Sequence, residues 1–355
     1  MSIFELTRPG EPAAGPQAET PGVNLLSRNG VQVFTINPRS RSEAEYWPDI
    51  QRNIEFCAAY GAAGVLCFSG NDTQIDPWLV ANQVATARTA QRRPLTPMVA
   101  LNPNTMPPYT AAKMISSLEQ MHGGRVALNL ITGLSARDRE VLGETLSHEE
   151  RYERLREYVS VVHRLLVDDR PVTHTGRYFQ LREATLLPRT RPRRAPAYFI
   201  AGHSAAADGV AEAFGALRMR MLTPDFTKFH SGAAVHLGLI AAADDESAWR
   251  LARTVAPEDP AGQAVLKATM RFTDSEWKQQ LMSRLSSEAE IDGPFWLGPF
   301  RNFQSDCPWL VGSYERLAEI LRALMATGLS TFVLDLPPRR DVFEGAAAAF
   351  ARAYD

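Results

Sequence analysis

Residues 197–222 read AYFIAGHSAAADGVAEAFGALRMRML, and this stretch holds one whole strand–helix–strand unit. Ala197–Ile200 is a short apolar run with two adjacent aromatics, the pattern of a buried strand. Gly202-His203-Ser204 turns the chain, a helix is expected over Ala205–Phe214, and Leu217–Leu222 reads as the next strand. Two strands joined through a crossover helix must lie parallel.

The same alternation runs outward in both directions. Toward the N-terminus, strands are expected at Val31–Asn37, Val65–Phe68, Met98–Leu101 and Val126–Thr132. Helices are expected over Tyr46–Tyr60, from Pro77 to Arg88, over Tyr109–Met121 and over Ser147–Leu166. Pro77 suits a first helical turn, and Ser147 with Glu150 forms a capping-box pattern. Toward the C-terminus the reading gives strand Val235–Ala241, helix Glu246–Val255, helix Ser313–Thr327 ended by Gly328, strand Thr331–Leu336 and helix Val342–Tyr354. About eight such units are what an α/β fold of the TIM-barrel class, a (β/α)8 barrel, requires. A doubly wound open sheet is the competitor. It loses ground because neither a GxGxxG turn after the first strand nor a P-loop is present.

Residues 1–24 read as a flexible leader, with 8–22 rich in Pro, Gly and Ala. Residues 25–355 read as a single barrel domain with insertions near 171–196, a hairpin, and 257–311, a helix plus an aromatic Pro/Gly-rich segment. Both insertions are long enough to serve as lids.

A net charge of −2 and a pI near 6.4 leave no global field for nucleic acid or anionic lipid. The basic run Arg189, Arg191, Arg193 and Arg194 is interrupted by proline and reads as a solvated loop. Three cysteines without a CxxC pair argue against a disulfide framework, and Cys57 and Cys67 read as small core residues. With no apolar run of membrane-spanning length and no signal peptide, the cytoplasm is expected. Clustered His/Asp ligands at strand ends are missing, so no metal is expected. Lysines are scarce and none ends a strand, which disfavours a Schiff-base barrel lyase.

In a barrel the chemistry sits on loops after the strands. Asn129, inside GGRVALNLITG, is a polar side chain in an apolar strand and must find partners, from a bound heterocycle or from neighbouring backbone. His148 and Tyr152 share one face near the start of the helix after Ser147, where free N–H groups and the dipole suit a phosphate. A capped surface helix is the plainer reading. Gly202, His203 and Ser204 form a strand-to-helix turn open to an anion, a motif weak by itself.

Together these pieces resemble the bacterial-luciferase-like flavin-dependent monooxygenases, in particular the alkanesulfonate monooxygenase branch. GGRVALNLITG, LSHEERYERLREYV, TGRYFQL, YFIAGHSAAADGVAE, LVGSYERLAEIL and GLSTFVLDLP carry the resemblance over most of residues 31–336. It implies a (β/α)8 barrel and reduced FMN (FMNH2) supplied by a separate NAD(P)H-dependent flavin reductase. Such a flavin reacts with O2 at its 4a carbon to form a peroxide that oxygenates an organic substrate. By the same resemblance Asn129 lies beside the flavin, while His148, Tyr152, Gly202, His203 and Ser204 hold or flank its phosphate. Ser69, in the segment 68–71, approaches the ring from the second strand, and Asp76 lies nearby. The loop 293–301, with Trp296 and Arg301, is the candidate lid over substrate. Relatives of this kind are dimers or tetramers.

One departure bears on substrate. Sulfonate-oxidising relatives carry an Arg and a His two residues apart on the seventh strand, and those places align with His236 and Gly238. Without the Arg there is no bidentate anion clamp. His236 is left as a catalytic hydrogen-bonding group or a structural histidine. Residues 223–232 are too short for a sixth helix, which opens that side. A similarity to monooxygenases of antibiotic-type assembly lines favours a larger or carrier-bound substrate. The alternatives are an alkanesulfonate-type monooxygenase, a deazaflavin-dependent hydride-transfer enzyme of the same superfamily, and a flavin-binding subunit without turnover.

Overall fold

The structure, a computed structural model, describes residues 25–39, 42–70, 73–132, 136–188, 194–202, 204–225, 229, 232–271, 276–287 and 293–355. The leader, His203, Asn71 and most of the basic run lie outside the described residues.

In chain order, β1 (Gln32–Ile36), α1 (Glu43–Ala59), β2 (Gly64–Cys67) and α2 (Pro77–Thr86) come first. β3 (Thr96–Leu101), α3 (Pro108–His122), β4 (Ala127–Leu130), α4 (Ala136–Val141) and α5 (His148–Val167) follow. The hairpin β5 (Val172–Thr175) and β6 (Gln180–Ala184) precedes β7 (Ala197–Ile200), α6 (Ala205–Phe214) and β8 (Leu217–Met221). Then come β9 (Ala233–Ala242), α7 (Asp245–Val255), α8 (Pro260–Met270) and α9 (Glu276–Ser287). β10 (Phe295–Trp296), α10 (Gly298–Arg301), β11 (Trp309–Ser313), α11 (Tyr314–Ala326), β12 (Thr331–Asp335) and α12 (Arg340–Tyr354) close the chain.

β1, β2, β3, β4, β7, β8, β9 and β12 form a closed parallel ring: β8 pairs with β9, β9 with β12, and β12 with β1. This is the (β/α)8 barrel expected from the alternation. The barrel strands send apolar side chains inward, namely Phe34 and Ile36 of β1 and one each from the others: Leu66, Met98, Ala127, Phe199, Met219, Ala234 and Val333. Phe34 and Phe199 meet edge-on at 5.9 Å, so the lower barrel is filled rather than hollow. The intervening positions face the helices and build the larger outer core.

Local chemistry explains the helix that matters most to the site. Ser147 Oγ accepts the Glu150 N–H (3.3 Å) and Glu150 accepts the Ser147 N–H (3.1 Å), so the capping box is complete. Tyr152, Leu155, Val159, Val162 and Leu166 recur at helical spacing and are buried. The hairpin β5–β6 is tied to this helix by Glu157, whose carboxylate accepts the Phe179 N–H at 2.8 Å.

Four features differ from the sequence expectation. α4 is a short helix in ARDREV, where no apolar stripe announces one. The 257–311 insertion holds two longer helices, α8 and α9, rather than one. It also supplies β10 and β11, the latter running parallel to the outer half of β9. β9 is accordingly longer than expected: its first half closes the barrel, and Gly238–Ala242 rise beyond the rim to pair with β11. The short sixth connection is as expected, and no described residue between β8 and β9 is helical. All three cysteines are buried and unbridged, and burial pushes the Cys57 thiol up to about 12. No helix among the described residues is long and apolar enough to cross a membrane.

Candidate functional site

Two residues beyond the apolar layer, period-two alternation brings a second set of side chains inward at the carboxyl ends of the strands. Asn129 follows Ala127 on β4, His236 follows Ala234 on β9, and Asp335 follows Val333 on β12. Asn129 stands beside Ala100 of β3 and Phe199 of β7 in register, while His236 stands beside Met221 and Val333. Asn129 is 6% exposed and His236 5%. Asn129 Oδ1 and His236 Nε2 have no hydrogen-bond partner in the structure. Two orphaned polar atoms in one mouth are costly unless something else completes them. Ser69 lies three residues after Leu66, just past the end of β2, and is half-buried.

A charged network adjoins His236, and the sequence reading missed it. Asp306 pairs with Arg39, from the turn after β1, and with Lys278 of α9 at 3.2 Å. The Arg39 guanidinium also lies over the Phe68 ring at 5.4 Å. Burial opposes ionisation of Asp306, but Arg39 and Lys278 outweigh it and hold the carboxyl well below the usual range. Ser305 donates to Asp335 at 2.5 Å and accepts the Trp309 indole N–H at 3.1 Å. Burial raises the Asp335 carboxyl against that hydrogen bond. Burial, with Arg39 adding to it and Asp306 opposing it, lowers His236 to about 4. His236 is therefore neutral at physiological pH. Only its place on the seventh strand was legible beforehand. Arg39, Lys278, Asp306 and Asp335 lie on four separate segments that only closure of the barrel brings together.

Unfolded His236 titrates near 6.5, so between that pH and about 4 the unfolded chain binds the extra proton. The contribution of His236 is present above pH 6.5 and is lost as pH falls toward 4, by up to roughly 3 kcal/mol. Urea titrations at a series of pH values should show a shallower acid decline in His236→Asn than in the parent. Parallel declines would refute the burial of a neutral imidazole.

At the same end of the barrel, past the carboxyl end of β7, α6 meets α5. A side chain at Gly202 would place its Cβ 2.3 Å from the Tyr152 hydroxyl and 2.7 Å from Ala207 Cβ. The phenol of Tyr152 therefore reaches the turn after β7, and only glycine leaves it room. Ser204 caps α6, its hydroxyl accepting the Ala207 N–H at 3.3 Å. The His148 ring lies 5.0 Å from Tyr152, partly exposed. So the structure joins four of the five residues read as a phosphate corner, and the fifth, His203, falls outside the described residues.

With this geometry in place, the chain can be compared with known proteins. The family model described as luciferase-like monooxygenase matches residues 33–331. The chain belongs to this family. It is 30% identical over 301 residues to the 4-(gamma-L-glutamylamino)butanoyl-[BtrI acyl-carrier protein] monooxygenase BtrO of Niallia circulans, covering 82% of this chain and 86% of that protein. Its fold is that of the EDTA monooxygenase of Chelativorans sp. BNC1, with a TM-score of 0.70 and 16% identity, covering 91% and 95% of the two chains. It is also that of the oxygenating constituent of 3,6-diketocamphane monooxygenase of Pseudomonas putida, solved with FMN (TM-score 0.64, 16% identity, covering 91% and 98%).

In this luciferase-like monooxygenase the seventh-strand glycine has a physical cause. A Cβ on Gly238 would fall 2.1 Å from Trp309 Cδ1 and 2.3 Å from its Nε1. β11 pairs Trp309 with Gly238 in register, and the indole occupies the space a side chain there would need. The space beside position 238 is filled by Trp309.

Trp296 and Arg301, expected on a lid, lie in β10 and α10. The Trp296 ring is wedged between Trp249 (5.6 Å) and Trp309 (6.1 Å), and Arg301 pairs with Glu258. Both line an open cavity of about 860 Å³ beside the mouth. Phe295 and Phe300 of the same stretch are buried packing residues.

Proposed function

We propose that the protein is an FMN-dependent monooxygenase that takes reduced FMN from a separate NAD(P)H-dependent reductase. With O2 it oxygenates an intermediate of antibiotic-type secondary metabolism, presented on a carrier. The observation that carries this reading is the pairing of two features at one barrel end. One is a corner of Tyr152, Gly202 and the Ser204-capped start of α6. The other is a mouth in which Asn129 Oδ1 and His236 Nε2 lack partners.

These residues fit FMN. Gly202 and the N–H groups opening α6 suit a phosphate, with the Tyr152 hydroxyl donating and His148 flanking. Asn129 is placed for the polar edge of the ring, and Ser69 approaches from β2. Reduced flavin, when bound, supplies the electrons that activate O2, and the protein supplies orientation and dryness. His236, neutral and buried, offers one ring nitrogen as donor and the other as acceptor at the reacting end. The Trp309 indole and the Arg39–Asp306–Lys278 pairings roof the mouth against water. The carrier-bound substrate is supported by the 30% identity to a protein named for an acyl-carrier-bound substrate, and by the lack of an arginine on the seventh strand to clamp a small anion.

Anaerobic titration with reduced FMN followed by rapid mixing with O2 tests the proposal. Saturable binding and O2 consumption are expected. Failure to bind reduced FMN, with binding of a reduced deazaflavin and no O2 demand, would replace oxygenation by hydride transfer.

A further inference from the structure

The open cavity beside the mouth has an unusual lining for a barrel flank. Arg253, Arg284, Arg301 and Arg316 surround it together with Trp249 and Trp296. Glu258 also lines it but is engaged by Arg301, and Arg316 is held by Asp245 at 2.8 Å. Arg253 lies over the Trp249 ring at 5.5 Å and pairs with no carboxylate among the described residues. Among the described lining residues four guanidinium groups thus stand against one carboxylate, next to aromatic faces. At about 860 Å³ the cavity is large enough for an extended small molecule.

Its position ties it to the chemistry. Directly opposed residues of neighbouring strands share a face. Trp296 opposes Trp309, and Trp309 opposes Gly238, which lies two residues beyond His236. Trp296 on the cavity wall and His236 in the mouth are therefore on the same face of this sheet extension, with Trp309 in register between them and 6.1 Å from Trp296. α9 bridges the two as well: Lys278 reaches Asp306 at the mouth, and Arg284, about 9 Å further along the helix, lines the cavity.

We infer that this cavity seats a phosphopantetheine arm, the phosphate-bearing tether of a thioester-bound acyl substrate, and directs its acyl end past Trp309 toward His236. Guanidinium groups match a phosphate oxygen pair bidentately, and indole faces suit the amide and dimethyl body of the arm. The inference rests on the carrier-bound reading given under Proposed function. The phosphate distinguishes the arm from a plain acyl chain, and its source is either a carrier protein or coenzyme A.

The test uses the full chain and follows tryptophan fluorescence during titration with 4′-phosphopantetheine and with pantetheine, the same arm without phosphate. The phosphate probe should bind about tenfold tighter or more. The double variant Arg253→Glu/Arg284→Glu should abolish that preference while leaving reduced-FMN affinity unchanged. Equal affinity for the two probes, or a preference that survives charge reversal, overturns the inference. Coenzyme A as a third probe separates the sources: equal or tighter binding assigns the cavity to coenzyme A thioesters, and markedly weaker binding to carrier proteins. Loss of reduced-FMN binding in the parent would sink the flavin reading while the phosphate preference is scored on its own.

Discussion

Tyr152→Phe combined with Ser204→Ala weakens binding of reduced FMN by roughly 2–5 kcal/mol, a thirtyfold loss or more. Tyr152 is nearly buried, and its hydroxyl stands where a Gly202 side chain would begin, at the mouth of the β7–α6 turn. Ser204 opens α6, whose first N–H groups have no intrahelical acceptor. In the proposed site, removing both hydroxyls takes two hydrogen bonds from the doubly charged phosphate. Ser204 also caps its own helix, so Ser204→Ala costs about 1 kcal/mol of stability without any ligand. Thermal denaturation of the free protein isolates that cost, and flavin affinity by equilibrium titration reports the rest. A lowered Tm with undiminished affinity would move the phosphate elsewhere.

Gly238→Arg, which puts a guanidinium on the seventh strand where this chain has none, destabilises the protein. The new Cβ alone overlaps the Trp309 indole. Trp309 must leave, breaking its hydrogen bond to Ser305 and, through it, the contact to Asp335. Overpacking costs about 1–3 kcal/mol, and a guanidinium with no designed partner adds more. Trp309→Ala alone should cost about 3–5 kcal/mol by leaving a cavity. The decisive measurement is the double-mutant cycle. In the Trp309→Ala background Gly238→Arg should be far milder, giving a large coupling between the two positions. Additive costs would mean that the indole is not what excludes a side chain at 238.

Both predictions depend on sites of different legibility. The corner of Tyr152, Gly202 and Ser204 could be read in outline because its parts are local signals: a capping box before Tyr152 and a glycine-serine turn between a strand and a helix. The oligomeric state and the lid role of Trp296 and Arg301 have no such local signature. The network around His236 was invisible for the same reason. Arg39 is one of many surface-like arginines in the sequence, Lys278 lies on a polar helix, and Asp306 sits in a loop with no motif.

What the chain determined by itself was the barrel. Alternating short apolar runs and amphipathic helices leave a parallel sheet as the arrangement that buries both faces, and eight units close it. The polar place of Asn129 inside an apolar strand was legible too, because an amide there must find partners. What only the tertiary structure decided was the content of the mouth. β9 overruns the rim because β11, more than 60 residues later, offers it a parallel edge. That pairing sets Trp309 over Gly238, brings Asp306 between Arg39 and Lys278, and leaves an arginine- and tryptophan-lined cavity at the side. Short-range periodicity reports which face of a strand is buried. It cannot report which distant segment will bury it, and that contact shaped the space available to substrate.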